Sequence, residues 1–204
     1  MKNNVKTLIL ASSSPRRREL LELVGVPFFV HASQVSEEVS QNLHPSQVVE
    51  ELALRKAEDV SQFYKEGLVI GADTIVVLDE QILGKPKNRS EAFTMLKMLQ
   101  GRSHTVYSGI AIIDCQSKRK VVSHQKTNVK MRALSDEEIR AYISTNEPLD
   151  KAGSYGIQGI GAILVERIEG DYFNVVGLPL ALLYDLFKQF NISILNDFHA
   201  QKQI

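Results

Sequence analysis

Arginines crowd the start of one predicted helix, where acidic residues are usually found. Ser12–Ser14, Pro15 and Arg16–Arg18 follow the short apolar segment 7–11. That segment predicts a buried strand, while Ser14 suits a helix N-cap and Pro15 the first helical position. Because the first helical turn carries the positive end of the helix dipole, each arginine there costs roughly 0.3–1 kcal/mol unless an anion offsets it. Serine hydroxyls, backbone N–H groups and guanidinium groups at one helix start are the parts of a phosphate site.

Two interpretations of these arginines are open. Besides a phosphate site, they can form a solvated basic helix start that pairs with Glu19 and Glu22. The capping box Ser135–Glu138 opens another predicted helix and puts acids in its first turn, as the dipole favours. This contrast favours the phosphate site at Arg16–Arg18.

Asp73 is the second candidate, because it stands inside the apolar segment 68–78, which predicts a central strand covered on both faces. Burying a carboxylate costs several kcal/mol unless it is hydrogen-bonded, paired or bound to a metal. At a strand end that opens into a cleft, an aspartate can orient or deprotonate water, or hold a divalent cation. Gly71 allows another backbone to approach closely. The structural alternative is an Asp73 paired with a buried arginine or lysine.

Further charged residues could complete a nucleotide site. Lys56, on a predicted helix, and Lys85, in Gly-Lys-Pro, would join the arginines to supply enough positive charge for a triphosphate. Glu37 and Glu38 could supply a second carboxylate for a metal ion. Taken singly, a lysine in such a position is more often a solvated surface residue. The two glutamates could equally well belong to an ordinary polar loop without a metal.

Other common sites are disfavoured. No Walker A or Rossmann glycine pattern is present, and Ser13 has no partner that would make it a nucleophile. Cys115 is the single cysteine, which excludes an internal disulfide and fits a reducing cytosol, and it is interpreted as structural. The histidines lack metal-ligand spacing and are interpreted as surface or structural residues: His31, His44, His104, His124 and His199.

Composition indicates one cytoplasmic domain. The 204 residues suffice for one core and no linker-like run divides them. The 24 basic and 24 acidic residues cancel, which argues against nucleic acid as a partner. Residues 1–6 lack the apolar core of a signal peptide, and no apolar run approaches about 20 residues, so we expect a cytoplasmic protein without a membrane partner.

Strands and helices interleave along the chain, which predicts an α/β fold with a mixed sheet. Strands are expected near 7–11, 27–30, 68–78, 81–83, 104–113, 120–133 and 162–168. Helices are expected near 15–24, 45–66, 90–100, 135–144 and 179–190. A glycine-rich loop over 146–161 and a turn at 170–174 separate the last elements, and the tail from about 196 is expected to fray.

Five motifs resemble, in their order, those of the Maf family of nucleoside triphosphate pyrophosphatases. They are Ser-x-Ser-Pro-Arg-Arg-x-Glu-Leu-Leu at 12–21, Ile-Gly-Ala-Asp-Thr at 70–74, Gly-Lys-Pro at 84–86, Gly-Arg-Ser-His at 101–104 and Asp-Lys-Ala-Gly-x-Tyr-Gly-Ile-Gln-Gly at 150–159. Each motif alone is weak, but five matches in family order, spanning nearly the whole chain, are highly specific.

The resemblance implies an elongated mixed sheet flanked by helices, in a single bilobed domain over 1–204 with two lobes around a cleft, similar to the inosine triphosphate pyrophosphatases. It also implies hydrolysis between the α- and β-phosphates with a divalent metal, Mg²⁺ or Mn²⁺, releasing monophosphate and pyrophosphate. Whether the chain forms a homodimer is left open. The rival interpretation is a regulator that senses a nucleotide or binds nucleic acid in cell division and septum formation.

The resemblance also assigns roles to single residues. Asp73 matches the family's catalytic base, and Arg16, Thr74 and Gln158 match the positions that separate its subfamilies. The 7-methyl-GTP branch carries an aromatic residue, Gln and Glu at those three positions, so the resemblance implies dTTP and UTP as substrates here. A glutamine side chain can donate and accept toward a uracil or thymine edge, whereas a glutamate can only accept.

The remaining assignments concern the phosphates and the metal. Glu37 matches an acidic position that assists the metal beside Asp73, with Glu38 as the alternative if the register shifts by one. Phosphate binding is assigned to Ser12, Ser14, Arg17, Lys56 and Lys85.

Overall fold

A computed structural model of the chain describes residues 6–39 and 43–197. The chain divides into two compact units. The first takes its residues from the chain up to Asp73, from Ser108–Gln125 and from Gly177 onward, and the second consists of Thr74–Tyr107 and Lys126–Val176. That the two units form a single domain stays a prediction. The tail from about residue 196 was expected to fray, but residues 196 and 197 are helical, and the rest of the tail lies outside the described residues.

Within residues 6–39 and 43–197, seven strands form one mixed sheet. They are β1 (Leu8–Leu10), β2 (Phe28–Val30), β3 (Leu68–Leu78), β4 (Gln81–Leu83), β5 (Ser103–Asp114), β6 (Lys120–Met131) and β7 (Val165–Glu169). Their order is β2-β1-β3-β5-β6-β7, with β4 paired to β3. β1 is parallel to β2 and β3, whereas β4 is antiparallel to β3 and β7 to β6. The predicted α/β fold with a mixed sheet is confirmed.

Seven α-helices accompany the sheet within the described ranges. They are α1 (Pro15–Leu23), α2 (Pro45–Ser61), α3 (Arg89–Leu99), α4 (Asp136–Ser144), α5 (Tyr172–Val176), α6 (Leu180–Lys188) and α7 (Ile194–Asp197). The capping box at Ser135 is present, with the Ser135 side chain accepting from Glu138 N–H at 3.2 Å. No helix among residues 6–39 and 43–197 is long and apolar enough to cross a membrane.

Two expectations near the C-terminus were wrong in part. The strand predicted over 162–168 begins only at residue 165, because a 3₁₀ helix, Gly159–Leu164, precedes it. The turn predicted at 170–174 contains α5, whose start is fixed by Asp171 Oδ1 accepting from Phe173 N–H at 2.8 Å. The buried Asn174 amide donates to the Val106 carbonyl at 3.0 Å. The Asn174–Val106 contact joins residues far apart in sequence, which local patterns do not reveal.

Each unit has its own apolar core. In the first, α2 packs its buried face on β1, β3 and β5 through small and branched residues: Ile9, Ala11, Ala53, Ala57, Val60, Val69, Ala111 and Ile113. In the second, α3 and α4 cover the sheet with larger residues: Val76, Leu78, Leu96, Leu99, Val106, Val129, Ile139 and Ile143. Apart from half-buried Thr74, every residue of β3 is buried, as predicted for a central strand.

Candidate active site

In the first unit, Asp73 lies on the part of β3 that belongs to this unit, and Lys56 lies on α2. A Cβ atom added at Gly71 would stand 2.1 Å from the Ala53 carbonyl oxygen and 2.8 Å from the Ala57 nitrogen, so α2 rests on β3 at this glycine. Asp73 lies two residues along the strand and therefore faces the same side. Lys56 belongs to the same turn of α2 and is buried. The absence of a side chain at Gly71 thus lets Lys56 reach Asp73.

The ammonium group of Lys56 lies between two carboxylates. Its Nζ is 2.7 Å from Asp73 Oδ1 and 2.6 Å from Glu37 Oε1. Asp73 and Lys56 are buried, whereas the Glu37 side chain is 53% exposed. The pairing explains how an apolar strand tolerates a carboxylate, because a buried charge needs an opposite charge and hydrogen bonds. Asp73 is thus paired with a buried lysine, as the structural alternative for this residue predicts. The pair alone does not distinguish a structural from a catalytic Asp73, and the surrounding groups must be considered.

Glu37, rather than Glu38, directs its carboxylate to this cluster. The Glu38 carbonyl accepts from Arg55 Nη1 at 2.6 Å, and no contact joins the Glu38 carboxylate to Lys56. The loop that carries Glu37 is also anchored at Ser33, whose hydroxyl donates to Asp59 Oδ2 on α2 at 2.7 Å. These anchors to α2 give Glu37 the second carboxylate position.

The serine–arginine segment at the start of α1 is organised around Ser12. The buried Ser12 hydroxyl accepts from Ser14 N–H and from Arg17 Nη1, both at 3.2 Å. Arg17 Nε donates to the Gly177 carbonyl at 2.9 Å, which ties the helix start to the chain before α6. Ser14 is the N-cap and Pro15 the first helical residue, as predicted, and the first turn holds no acid.

The three arginines differ in their surroundings. Arg18 is exposed and pairs with Glu22 at 2.8 Å, so the solvated interpretation holds for it. Arg16 and Arg17 are half-buried. The pKa of Arg17 is lowered overall, chiefly by burial. The charges of Asp73 and Glu37 act to raise this pKa, whereas the charge of Arg16 acts to lower it. Arg17 therefore lies within electrostatic reach of both carboxylates that bind Lys56.

In the first unit, a divalent cation would find the carboxylates of Glu37 and Asp73 close together, because both contact Lys56 Nζ. No group of three or more His, Cys, Asp or Glu side chains suited to a metal occurs within residues 6–39 and 43–197. Mg²⁺ commonly uses one or two protein carboxylates and takes its other ligands from water and substrate phosphates. The pair of hard oxygen donors therefore fits Mg²⁺ or Mn²⁺ bound together with a phosphate ligand.

Three of the predicted site residues belong to the second unit. Thr74 directly follows Asp73 on β3 and is half-buried, while Lys85 is exposed and Gln158 half-buried. The Gly-Lys-Pro segment meets the glycine-rich loop, because Gly153 N–H donates to the Gly84 carbonyl at 3.1 Å. That Thr74, Lys85 and Gln158 share one site with the first-unit residues stays a prediction.

Sequence reasoning missed the residues that hold the glycine-rich loop. The Glu147 carboxylate accepts from the N–H groups of Ile160 and Gly161, each at 2.9 Å. The Tyr142 hydroxyl donates to Glu147 Oε1 at 2.9 Å and accepts from Gly156 N–H at 3.2 Å. Tyr142 lies in the helix expected near 135–144, but the sequence carries no local signal for the contacts of its hydroxyl or for Glu147.

The histidine and cysteine interpretations hold for the described residues. Four histidines each form a hydrogen bond with another group of the protein: His31, His44, His104 and His124. His199 lies outside the described residues. Cys115 is buried, which raises the pKa of its thiol and makes it a poor nucleophile.

Comparisons with known proteins assign the chain to a family. Residues 7–190 match the Maf-like protein family. A dTTP/UTP pyrophosphatase of Thermoanaerobacter sp. (strain X514) is 54% identical over 190 residues, covering 92% of this chain and 99% of the relative. One of Bacillus cereus (strain ATCC 10987 / NRS 248) is 52% identical over 192 residues, covering 94% of this chain and 93% of the relative.

Among solved structures, the Staphylococcus aureus Ham1 protein aligns with a TM-score of 0.49 and 16% identity, over 78% of this chain and 80% of that one. The family match spans most of the chain and the relatives are about half identical to it. The chain therefore belongs to the Maf-like protein family.

Proposed function

We propose that this chain hydrolyses dTTP and UTP to the monophosphate and pyrophosphate. The observation that carries the proposal is the 54% identity, over 92% of the chain, to a protein named dTTP/UTP pyrophosphatase. A buried carboxylate beside a lysine and an arginine, as found at Asp73, supports the same conclusion. Charged groups arranged in this way suit an anionic substrate and the activation of water.

In the proposed reaction, Asp73 orients a water molecule and accepts its proton. The water oxygen forms a bond to the α-phosphorus, and the bond between that phosphorus and the oxygen bridging to the β-phosphorus breaks. Pyrophosphate leaves with the electron pair of the broken bond, and the monophosphate keeps the water oxygen. Lys56, already bonded to Asp73 Oδ1, holds the carboxylate in place and presents positive charge at the same point.

Positive charge on the protein beside the leaving group is the second requirement. Arg16, Arg17 and Lys56 of the first unit, with Lys85 of the second, would offset the charge that develops on pyrophosphate. Arg17 is pre-organised for this role, because Ser12 and the Gly177 carbonyl fix its guanidinium before any substrate is bound. Such pre-organisation lowers the cost of ordering the side chain in the transition state.

Glu37 and Asp73 would hold the divalent cation. When bound, Mg²⁺ or Mn²⁺ supplies positive charge to the phosphate oxygens and orients them. Both carboxylates accept a hydrogen bond from Lys56, so the lysine keeps them close together and limits their repulsion in the protein without substrate.

Base selection completes the proposal. Gln158, with Thr74 and Arg16, would distinguish pyrimidine from other triphosphates, since the glutamine amide offers a donor and an acceptor side by side. No described residue hydrogen-bonds the Gln158 side chain, which leaves its amide available to a ligand.

A panel assay tests the proposal. Purified protein is incubated with dTTP, UTP, CTP, dCTP, ATP and GTP in EDTA, Mg²⁺ or Mn²⁺, and monophosphate and pyrophosphate are both quantified. We expect dTTP and UTP to be the best substrates, equimolar products and no reaction in EDTA. Arg18→Ala, which removes a charge from the same helix turn, should retain activity and serves as the control for Arg16→Ala and Arg17→Ala. Formation of diphosphate and phosphate, or equal rates on all bases, would contradict the proposal.

A further inference from the structure

The second unit contains a carboxylate bound by backbone N–H groups of the glycine-rich loop. Glu147 Oε2 accepts from Ile160 N–H, and Glu147 Oε1 accepts from Gly161 N–H and the Tyr142 hydroxyl, all at 2.9 Å. The same hydroxyl accepts from Gly156 N–H at 3.2 Å. Three backbone groups of this loop are thus tied to one carboxylate–phenol pair, which we name the Tyr142–Glu147 clamp.

The glycines of the loop are required by this clamp. A Cβ atom at Gly159 would stand 2.7 Å from Glu147 Oε2, and the residue has a φ of +66°, which side chains disfavour. At Gly161 a Cβ atom would stand 2.5 Å from the Tyr142 hydroxyl and 2.4 Å from the Gly156 carbonyl oxygen. Successive N–H groups in such a turn form an anion-binding concavity. Here that concavity is filled by a carboxylate of the chain itself.

The carboxylate is held in its charged form. Burial acts to raise the pKa of Glu147, but hydrogen bonds from Gly161 and Ile160, the Tyr142 hydroxyl and the charge of Lys151 outweigh it, so the pKa is lowered overall. Lys151 Nζ also donates to the Glu147 carbonyl at 2.5 Å. The clamp is therefore charged and intact at neutral pH.

Gln158 lies between the fixed points of the clamp. Gly156 is held two residues before it and Ile160 two residues after it. The Gln158 side chain itself has no hydrogen-bond partner among the described residues. The clamp therefore supports the loop without help from the Gln158 amide, which argues against a purely structural role for Gln158.

We infer that Tyr142 and Glu147 are positioning residues that fix Gln158 for recognition of a pyrimidine base. This inference rests on the proposed function, because it concerns the selectivity of that reaction. A base-reading amide discriminates only if its donor and acceptor are held in register, and misplacement by about 1 Å can cost about a hundredfold in rate. The clamp supplies that register through the backbone on both sides of Gln158.

A double-mutant cycle tests the inference. The ratio of kcat/KM for dTTP to kcat/KM for CTP is measured for the unaltered protein, Glu147→Gln, Gln158→Ala and the double variant. We expect Glu147→Gln to lower the ratio about tenfold, mainly through a higher KM for dTTP, and to have no further effect on the ratio once Gln158 is alanine. Exposed Glu137, on α4, provides the matched control Glu137→Gln, which should leave the ratio unchanged.

Amide hydrogen exchange supplies a readout that does not depend on activity. Glu147→Gln should lose protection at Ile160 and Gly161. Should that variant fail to fold, Tyr142→Phe, which removes one hydroxyl, is measured in its place with the same expectations at lower amplitude. An unchanged dTTP/CTP ratio in a folded, active clamp variant, or an equal loss of the ratio in the Gln158→Ala background, would overturn the inference. If instead the unaltered protein fails to hydrolyse pyrimidine triphosphates, the proposed function fails, which is a separate result, and the inference falls with it.

Discussion

Acid should weaken this fold through one buried histidine, His104. Its side chain is 4% exposed, its Nε2 lies 2.7 Å from the Tyr155 hydroxyl, and the two rings meet edge to face at 5.2 Å between centroids. Within the described residues, His104 Nδ1 has no hydrogen-bond partner. Burial lowers the pKa of His104 from 6.5 to about 4. The imidazole is therefore neutral in the folded protein at pH values where the unfolded chain already binds a proton.

The sign and size of the effect follow from that difference in pKa. Because the folded-state pKa is depressed, the stabilising contribution is fully present above pH 6.5 and is lost as the pH falls from 6.5 through about 4. A gap of about 2.5 pH units corresponds to about 3 kcal/mol of unfolding free energy, as an order of magnitude. Carboxylates also titrate in this range, so a comparison with a variant is needed.

Urea unfolding of the unaltered protein and of His104→Gln between pH 7.5 and pH 4 isolates this contribution. Glutamine can still hydrogen-bond Tyr155 but does not titrate. The unfolding free energy of the unaltered protein should therefore fall by about 3 kcal/mol relative to that of the variant as the pH falls. A difference that stays constant over the whole range, or an NMR titration of His104 with a midpoint near 6.5, would refute the reasoning.

Three further predictions concern the site and its support. Arg16→Ala should lower kcat/KM for dTTP without lowering the melting temperature of the protein free of nucleotide, since the positive end of the helix dipole opposes a positive charge at this position and a bound phosphate would favour it; a clear drop in melting temperature would favour a structural role. Gln158→Glu should lower kcat/KM for dTTP and UTP by roughly 5- to 150-fold, equivalent to about 1–3 kcal/mol, and affect GTP less; a uniform loss across bases in steady-state assays would count against base recognition. Gly71→Ala should destabilise the fold by about 3 kcal/mol or more, because the added methyl meets the Ala53 carbonyl oxygen; urea unfolding that matches the unaltered protein would show that α2 does not rest on β3 there.

The sequence predicted the elements whose signals are local. The run 68–78 is a fully apolar strand except at its middle, and it became β3 with almost every residue buried. The capping box at Ser135 fixed the start of α4, and α1 begins at Pro15 after Ser14, although the Ser14 side chain makes no capping hydrogen bond. In each case the information lies within a few neighbouring residues, which is the range over which caps and periodicity act.

The parts of the site that depend on distant contacts could not be predicted in the same way. Asp73 was identified from the cost of burying it, but its partner Lys56 is 17 residues away on a helix whose approach depends on Gly71. The clamp residue Glu147 has no such signal, because an acid before a proline in a loop is usually solvated. Its role emerges only when Gly161, 14 residues later, is folded back onto it.

Hydrolysis of dTTP in ¹⁸O-labelled water tests the central claim, attack of water on the α-phosphorus under the control of Asp73. The unaltered protein with Mg²⁺ should give dTMP that carries the label and pyrophosphate that does not. Asp73→Asn should remain folded, because Lys56 keeps Glu37 as a partner, and should be slower by about 10²-fold or more, since an amide is a poor base and metal ligand. Label in pyrophosphate, or near-normal turnover of dTTP by folded Asp73→Asn, would contradict it.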